Sequence, residues 1–289
     1  MSHQPAILKP VPSEARFVTL ELARGATAKD VLQILAGMKH DPRRVVGIGA
    51  PLVTALSKAV PGLRAFPTDL VPFPATQGAL WAFFALAGRG EAFDAGRAFL
   101  ECFRGALAVS DETDTFVYRK GRDLSGFEDG TENPKGKAAA LAALVAGGKA
   151  PGLDGGSFVA VQRFVHDLAG LHCLSDAAQA NVIGRRRKDN QELADAPPSA
   201  HVKRTAQESF DPPAFILRKS MPYGGMKEHG LYFVAFGESL DRFERILRRM
   251  AGRDDGITDG LLGFTRAVSG GYYFCPPVRN GKLDLRGIR

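Results

Sequence analysis

The sequence predicts a tandem α+β architecture, because the same succession of strand and helix occurs in both halves of the chain. Residues 80–86 and 231–236 are apolar, aromatic runs that are typical of buried strands. Each run is followed by a glycine, Gly88 or Gly237, and then by an amphipathic helix. Two such units favour separate sheets with packed helices over one doubly wound parallel sheet.

Length and a change in composition divide the chain. With 289 residues the chain is long for one core, so two domains are expected. Residues 134–156 are rich in alanine, glycine and lysine and end in a Pro/Gly-rich turn, which predicts a linker. We therefore predict an N-terminal domain over residues 1–140 and a C-terminal domain over residues 150–289.

The individual elements follow from periodicity and residue type. In the first half these criteria predict strands over 17–22, 45–49 and 80–86 and helices over 28–38 and 91–104. In the second half they predict strands over 158–165, 214–217 and 231–236 and helices over 175–183 and 238–250. The inward face of the last helix comprises Leu240, Phe243, Ile246, Leu247 and Met250.

Composition limits the classes of function. The hydrophobic content of 45% and the charged content of 24% are typical of a soluble globular protein, and no apolar run is long enough to span a bilayer. Residues 1–5 carry no signal-peptide pattern, so we expect a cytoplasmic protein without a membrane partner. The cysteines Cys102, Cys173 and Cys275 are odd in number and far apart, which argues against disulfides and a zinc site.

The net charge, 38 − 31 = +7, makes polyanionic partners worth considering. Basic residues form a dense cluster only at residues 185–188, and no aromatic residues are interleaved with them. A cluster this short is typical of a solvated face or a local anion site. We therefore expect no nucleic-acid partner.

The segment 124–134 carries the strongest chemical signal. Gly126 and Gly130 let the backbone bend, and Pro134 prevents a helix from continuing. A loop of this kind holds a carboxylate in a fixed position, here Glu128 or Asp129.

Histidine and arginine residues farther along complete a possible site. For His166, at a predicted strand end, a structural hydrogen bond is expected, as for most lone histidines. His201 differs because it follows a polar loop. Arg218 ends the predicted strand 214–217, where a guanidinium needs an anionic partner. Together with Asp129, these two side chains would equip a haem peroxidase.

Each residue type has a role in that chemistry. An imidazole on the proximal side holds haem iron and leaves the opposite face open. One positioned acid/base moves the proton of peroxide between its two oxygens. A fixed guanidinium stabilises the negative charge that develops as the O–O bond breaks. The ligand histidine commonly donates its other N–H to a carboxylate.

Six motifs in order then match one family. Residues 126–130 match the Gly-x-x-Asp-Gly motif of the dye-decolourising peroxidases. The further motifs occupy residues 182–185, 201–204, 218–220, 258–264 and 269–277. The chain thus resembles the dye-decolourising peroxidase family, and its lack of large insertions resembles the bacterial B-type subgroup. Upstream of residue 126 only the pattern of strands and helices is similar.

The resemblance implies two ferredoxin-like domains with antiparallel sheets, and haem b (iron protoporphyrin IX) held mainly by the second domain. It implies that His201 is the axial iron ligand and Asp259 its proximal partner. It further implies that Asp129 is the distal acid/base and Arg218 the distal charge stabiliser.

The resemblance also implies contacts to the edge of the haem. Arg185 would pair with a haem propionate, with Arg187 and Arg204 as alternatives. Ser220 stands where many relatives carry asparagine, and its hydroxyl still supplies a hydrogen-bond donor to the pocket.

The predicted function is a haem peroxidase that reduces hydrogen peroxide through a high-valent iron intermediate and oxidises bulky dyes, phenols or a metal ion. One alternative is a haem-handling protein for storage, transport or iron release. Another is a non-haem α+β dimer that binds an anion at residues 185–188.

Relatives are commonly oligomers, so a homo-oligomer is expected. No long tail follows residue 280, so we do not expect loading into a protein shell by that route. We expect Trp81 in the core, and one tyrosine as an electron relay to bulky substrates. The candidates are Tyr118, Tyr223, Tyr232, Tyr272 and Tyr273.

Overall fold

Helices and antiparallel strands make up the computed structural model, which describes residues 2–289. The helices are α1 (Ala28–Gly37), α2 (Ala50–Thr54), α3 (Arg89–Cys102), α4 (Gly136–Ala143), α5 (Leu168–His172), α6 (Asp176–Ile183), α7 (His201–Arg204) and α8 (Leu240–Met250). The strands are β1 (Glu14–Leu22), β2 (Arg44–Gly49), β3 (Leu80–Leu86), β4 (Leu107–Phe116), β5 (Ser157–His166), β6 (Leu217–Arg218), β7 (Met221–Gly224), β8 (His229–Gly237), β9 (Thr265–Ala267), β10 (Gly271–Cys275), β11 (Val278–Arg279) and β12 (Lys282–Leu283).

Each half has the strand order of a ferredoxin-like fold. In the first half the strands lie in the order β4-β1-β3-β2, with α1 and α3 as the crossover helices. In the second half the order is β10-β5-β8-β7, and β6 pairs with the same edge of β8 as β7. Both halves follow the β-α-β-β-α-β pattern. The predicted class, tandem ferredoxin-like α+β with antiparallel sheets, is therefore confirmed.

Two strand pairs join the halves into one sheet. β2 pairs with β10, where Gly49 lies opposite Tyr273, and β4 pairs with β7, where Thr115 lies opposite Tyr223. Because β5 also pairs with β8, the strands close into a ring. One face of each strand therefore points into the ring, and the other face carries helices.

The inside of the ring is an aromatic core. Phe17 stacks on Tyr232 with ring centroids 4.2 Å apart, and the indole N–H of Trp81 donates to the Tyr232 hydroxyl at 3.1 Å. All three side chains are buried, which confirms Trp81 as a core residue. This hydrogen bond gives the buried indole N–H a partner inside the protein, where it is shielded from solvent.

The outer faces of the sheet pack against amphipathic helices. Helix α8 lies over β5 and β8 and has the predicted inward face. Its buried residues are Leu240, Phe243, Ile246, Leu247 and Met250. The periodicity of apolar residues therefore identified the helix and its orientation correctly.

The predicted linker contains a helix. Residues 136–143 form α4, and Ala142 and Ala143 are buried. A run of alanines favours helix, and two of them pack against other elements. The segment 134–156 is therefore not a flexible connection throughout. The domain limits at residues 140 and 150 stay a prediction.

The predicted strand at 214–217 is largely wrong. Only Leu217–Arg218 pairs with β8. Two prolines precede it, and the amide of Ile216 donates to the Gln207 side chain at 2.8 Å instead of to a neighbouring strand. Backbone groups satisfied in this way do not extend the ladder.

Two broader expectations concern membranes and cysteines. Within residues 2–289, no helix has the length and apolarity that crossing a bilayer requires. Cys102, Cys173 and Cys275 are all free thiols, as predicted.

Candidate active site

The acidic loop (residues 123–134) connects β4 to α4 and fixes one carboxylate. Gly126 has a φ of +88°, a conformation that favours glycine. Arg122 donates to the Gly126 carbonyl at 2.6 Å and pairs with Glu128 at 3.1 Å. Glu128 is thereby held at the exposed side of the loop. Its second oxygen accepts from Asn190 at 3.0 Å, whereas Asp129, the other candidate, faces Arg218.

Asp129 meets Arg218 across the two halves. Its Oδ1 accepts from the Gly130 amide at 2.7 Å and lies 3.5 Å from Arg218 Nη1. Within residues 2–289, Asp129 Oδ2 has no hydrogen-bond partner. Arg218 Nε and Ser220 Oγ are buried and also lack one in that part of the chain. The structure thus brings the two predicted catalytic residues together and leaves a free acceptor and two free donors.

Asn133, which the sequence analysis assigned no role, fixes the position of Arg218. Its Nδ2 donates to the Arg218 carbonyl at 2.8 Å, and its Oδ1 accepts from the Arg218 amide at 2.8 Å. The acidic loop is therefore joined to β6 by the backbone of the arginine itself. The Asn-Pro pair at the end of the loop was the sequence signal for such a turn.

His201 is the first residue of α7 and is oriented by Asp259. Its Nδ1 lies 2.8 Å from Asp259 Oδ2, and the Asp259 side chain is fully buried. The second oxygen of Asp259 accepts from the Leu261 amide at 2.8 Å. The His201 side chain is 22% exposed. Because Asp259 accepts the Nδ1 proton, the tautomer that leaves Nε2 as a free ligand atom is favoured.

Arg185 follows α6 in the second half and lies against the acidic loop. Its Nη2 is 2.7 Å from Glu132 and 3.2 Å from Glu192, and its side chain is 12% exposed. Gly184, which ends α6 with a φ of +92°, leaves no room for a side chain. A Cβ there would lie 2.3 Å from Val202 in α7. This close approach positions Arg185 beside the helix that carries His201.

The two alternative arginines have other partners. Arg204 is buried and forms a bidentate pair with Asp255, with both distances at 2.7 Å. These hydrogen bonds lower the pKa of Asp255 to about 2. Arg187 donates to Gln179 and lies over the Phe127 ring. The structure therefore does not turn Arg204 toward the acidic loop.

His166 connects the acidic loop to β5 and β9. Its Nε2 lies 3.1 Å from Asp123 Oδ1, and its Nδ1 lies 2.6 Å from Thr265 Oγ1. The structural role expected for His166 is thus consistent with its contacts. Its partner Asp123 was missed by the sequence analysis because the two residues are 43 positions apart.

The two pairs are separate. No hydrogen bond or ion pair within residues 2–289 joins Asp129 and Arg218 to His201 and Asp259. A haem would need a free imidazole nitrogen on one face and buried donors on the other, and the described residues supply both kinds of atom. Arg218 Nε and Ser220 Oγ are buried, so these two donors need partners that the described residues do not supply.

Comparison with known proteins identifies the family. The model of the C-terminal part of Dyp-type peroxidases matches residues 120–280. A dye-decolorizing peroxidase of Mycolicibacterium paratuberculosis is 33% identical, with 98% of this chain and 92% of that protein covered. One from Mycobacterium tuberculosis is 34% identical, with 96% and 89% covered. The chain belongs to the Dyp-type peroxidase family.

Solved structures of this family agree with the fold. A dye-decolorizing protein from V. cholerae has a TM-score of 0.82 and 33% identity, covering 94% of this chain and 96% of its own. A variant of DypB from Rhodococcus jostii RHA1, in complex with heme, has a TM-score of 0.86 and 31% identity, with the same coverages. As in other Dyp-type peroxidases, a ferredoxin-like scaffold carries the candidate site.

Proposed function

We propose that this Dyp-type peroxidase binds haem b, reduces hydrogen peroxide and oxidises dyes, phenols or similar reductants. The observation that carries the proposal is His201, whose Nδ1 is held by a buried carboxylate while its Nε2 stays free. A histidine held in this way is a stronger ligand for iron than a solvated one. Haem bound there would supply the iron at which peroxide is cleaved.

On the proximal side, Asp259 orients the imidazole ring of His201. It accepts the Nδ1 proton of His201 and is itself fixed by the Leu261 amide. The carboxylate therefore holds the imidazole plane in place and favours the tautomer in which Nε2 is the free ligand atom. We assign Arg185 as the contact to a propionate, supported by its low exposure and its position beside α7; the propionate would share the guanidinium with Glu132 and Glu192.

On the distal side, Asp129 is the proposed acid/base. Its Oδ1 is already engaged by the Gly130 amide and faces Arg218, so Oδ2 is the atom that accepts and returns a proton. Arg218 supplies fixed positive charge where negative charge develops on oxygen. The Ser220 hydroxyl, buried and unpartnered in the described residues, is a further donor toward the same space.

The reductant is proposed at the level of chemical class. Relatives named dye-decolorizing peroxidases support dyes, and one DypB variant was solved in complex with manganese, which keeps a metal reductant as a second candidate. Tyr232, Tyr272 and Tyr273 are buried and Tyr118 is half-exposed, so a relay to bulky substrates through one tyrosine stays a prediction. Haem storage or iron release is not favoured, because the matching relatives are peroxidases.

The DypB neighbours support the B-type subgroup. A homo-oligomer, a cytoplasmic location and the absence of nucleic-acid and membrane partners stay predictions.

The proposal is tested by dye oxidation with hydrogen peroxide after haem loading. Asp129→Asn and Arg218→Leu should each slow the reaction with peroxide by about 10²-fold while haem is retained. Glu128→Gln is the matched control, because it alters the neighbouring carboxylate on the exposed side of the loop. Wild-type rates in both distal variants would refute the proposed roles.

A further inference from the structure

A cavity lies in the first half of the chain, and none of the proposed haem-site residues lines it. It has a volume of about 360 Å³ and opens between the end of α1, the start of β2 and helix α3. Phe84, Leu86 and Phe99 form an apolar floor, and Arg44 and Cys102 are part of the wall. The volume falls within the range of small-molecule sites.

Arg44 is a partly buried cation without a counterion. Its Nη2 donates to Met38 Sδ at 3.1 Å and to the Lys39 carbonyl at 3.3 Å. Its guanidinium carbon lies 4.8 Å from the centre of the Phe99 ring. Its Nε is buried without a hydrogen-bond partner, and no carboxylate among residues 2–289 forms an ion pair with it. A partly buried guanidinium without an ion pair carries a desolvation cost in free energy, which pairing with an anion would offset.

The neighbouring charges offset the charge of Arg44 only in part, because Asp41 acts on Arg44 electrostatically without forming an ion pair with it. Asp41 is the acidic residue in the wall, and Arg43 holds both of its oxygens, at 3.2 Å and 3.0 Å. His40 is kept neutral near pH 7, because burial and the charge of Arg44 lower its pKa to about 4. Lys39 adds another positive charge to the wall. The cavity therefore combines an apolar floor with a net positive wall, in which Lys39, Arg43 and Arg44 face the single carboxylate of Asp41.

We propose that this cavity binds a small organic monoanion, a carboxylate or sulfonate carried on an aromatic or aliphatic body. The anionic group would pair with Arg44, and the body would cover Phe84 and Phe99. An inorganic anion would pair with Arg44 but leave the apolar floor exposed to water. A neutral aromatic molecule would leave Arg44 without its counterion.

Alkylation of two cysteines reports whether a ligand occupies the cavity. Cys102 lines the cavity and is exposed, whereas Cys173 is exposed after α5 and does not line it. Alkylation by iodoacetamide, an uncharged reagent, is followed at both thiols by peptide mass spectrometry, with 2-naphthoate as the probe. We expect 2-naphthoate to slow alkylation of Cys102 several-fold at saturation while Cys173 is unaffected. The neutral analogue 2-naphthalenemethanol should protect about tenfold more weakly.

Variants separate this site from general binding. Arg44→Met should weaken protection about tenfold or more, whereas Arg24→Met, which removes an exposed positive charge outside the cavity wall, should retain it. Arg44→Lys keeps the charge and is expected to retain part of the protection, which covers the case in which Arg44→Met does not fold. Protein without haem and haem-loaded protein should behave alike, since the cavity lies in the first half.

Three results would overturn the proposal. One is equal protection by the neutral analogue, and another is full protection in Arg44→Met. The third is protection of Cys102 that depends on protein concentration and not on the probe, which would identify the cavity as a contact between copies of the chain.

Discussion

Asn133 uses both ends of its side-chain amide on the backbone of one residue, Arg218. The carbonyl oxygen accepts from the Arg218 amide and the amino group donates to the Arg218 carbonyl, both at 2.8 Å. The two residues are 85 positions apart. This double hydrogen bond fixes the start of the Arg218 side chain relative to Asp129, which lies on the same acidic loop.

Replacing Asn133 should therefore loosen the distal pair. In Asn133→Ala both hydrogen bonds are lost, and we expect the rate of reaction with peroxide to fall about 10-fold to 100-fold with haem affinity little changed. Stopped-flow absorption of the ferric enzyme with peroxide measures this rate. Thr131→Ala, in the same loop, is the control and should keep the wild-type rate. An unchanged rate in Asn133→Ala would show that the loop does not depend on this contact.

The buried carboxylate behind His201 leads to a second prediction. In Asp259→Asn the tautomer of His201 is no longer fixed by a negative charge, so haem affinity or turnover should fall about 10-fold to 100-fold. Haemin titration followed by absorption gives the affinity. Asp254→Asn, which alters an exposed carboxylate nearby in the chain, serves as the control. Wild-type affinity and turnover in Asp259→Asn would contradict the assigned role.

Acid stability should depend on Asp123. Burial raises the pKa of this carboxyl, but hydrogen bonds from His166 and Ser125 outweigh burial and hold the pKa below its ordinary 3.8. A carboxyl with a lowered folded-state pKa stabilises the fold above its unfolded pKa and loses that contribution as pH falls below about 4. Urea unfolding should therefore show a smaller loss between pH 5 and pH 3 for Asp123→Asn than for wild type. Glu208→Gln, which alters an exposed carboxylate, should behave like wild type, and equal losses in all three proteins would refute the prediction.

Alkaline stability should depend on Lys219. Its side chain is buried, its ammonium group donates to the Lys9 carbonyl, and burial lowers its pKa from 10.5 to about 8. Between these values the unfolded chain binds a proton that the folded chain does not, so stability rises with pH. The free energy of unfolding of wild type should rise between pH 7 and pH 11 by about 3 kcal/mol relative to Lys219→Met. The exposed Lys227→Met is the control, and a fall in that difference would contradict the assignment.

Local patterns predicted most of the fold. The strands near residues 17–22 and 80–86 and the helix near 238–250 were found because their residues alternate or repeat with the period of the element. Strand β4 was missed, because its acidic residues Asp111, Glu112 and Asp114 hide the alternation and the strand is stabilised by pairing with β1. Pairing between distant strands leaves no mark on the local composition.

In the candidate site too, the residues that lie in local motifs were predicted and those that act through distant partners were missed. Asp129, Arg218, His201 and Asp259 were named from motifs, and the structure forms two pairs from them. Asn133 and Asp123 act through partners 85 and 43 positions away, so their roles are tertiary and no spacing in the sequence indicates them. Arg204 was named as an alternative contact to a haem propionate, but its guanidinium binds Asp255.

The most direct test of the account is a haemin titration of His201→Ala beside wild type, followed by absorption and electron paramagnetic resonance. Wild type should bind haem with a histidine-ligated ferric spectrum that changes rapidly on adding hydrogen peroxide. His201→Ala should lose that spectrum and recover it with added imidazole, whereas His229→Ala should match wild type. A wild-type iron spectrum in His201→Ala would contradict the assignment of His201 as the axial ligand.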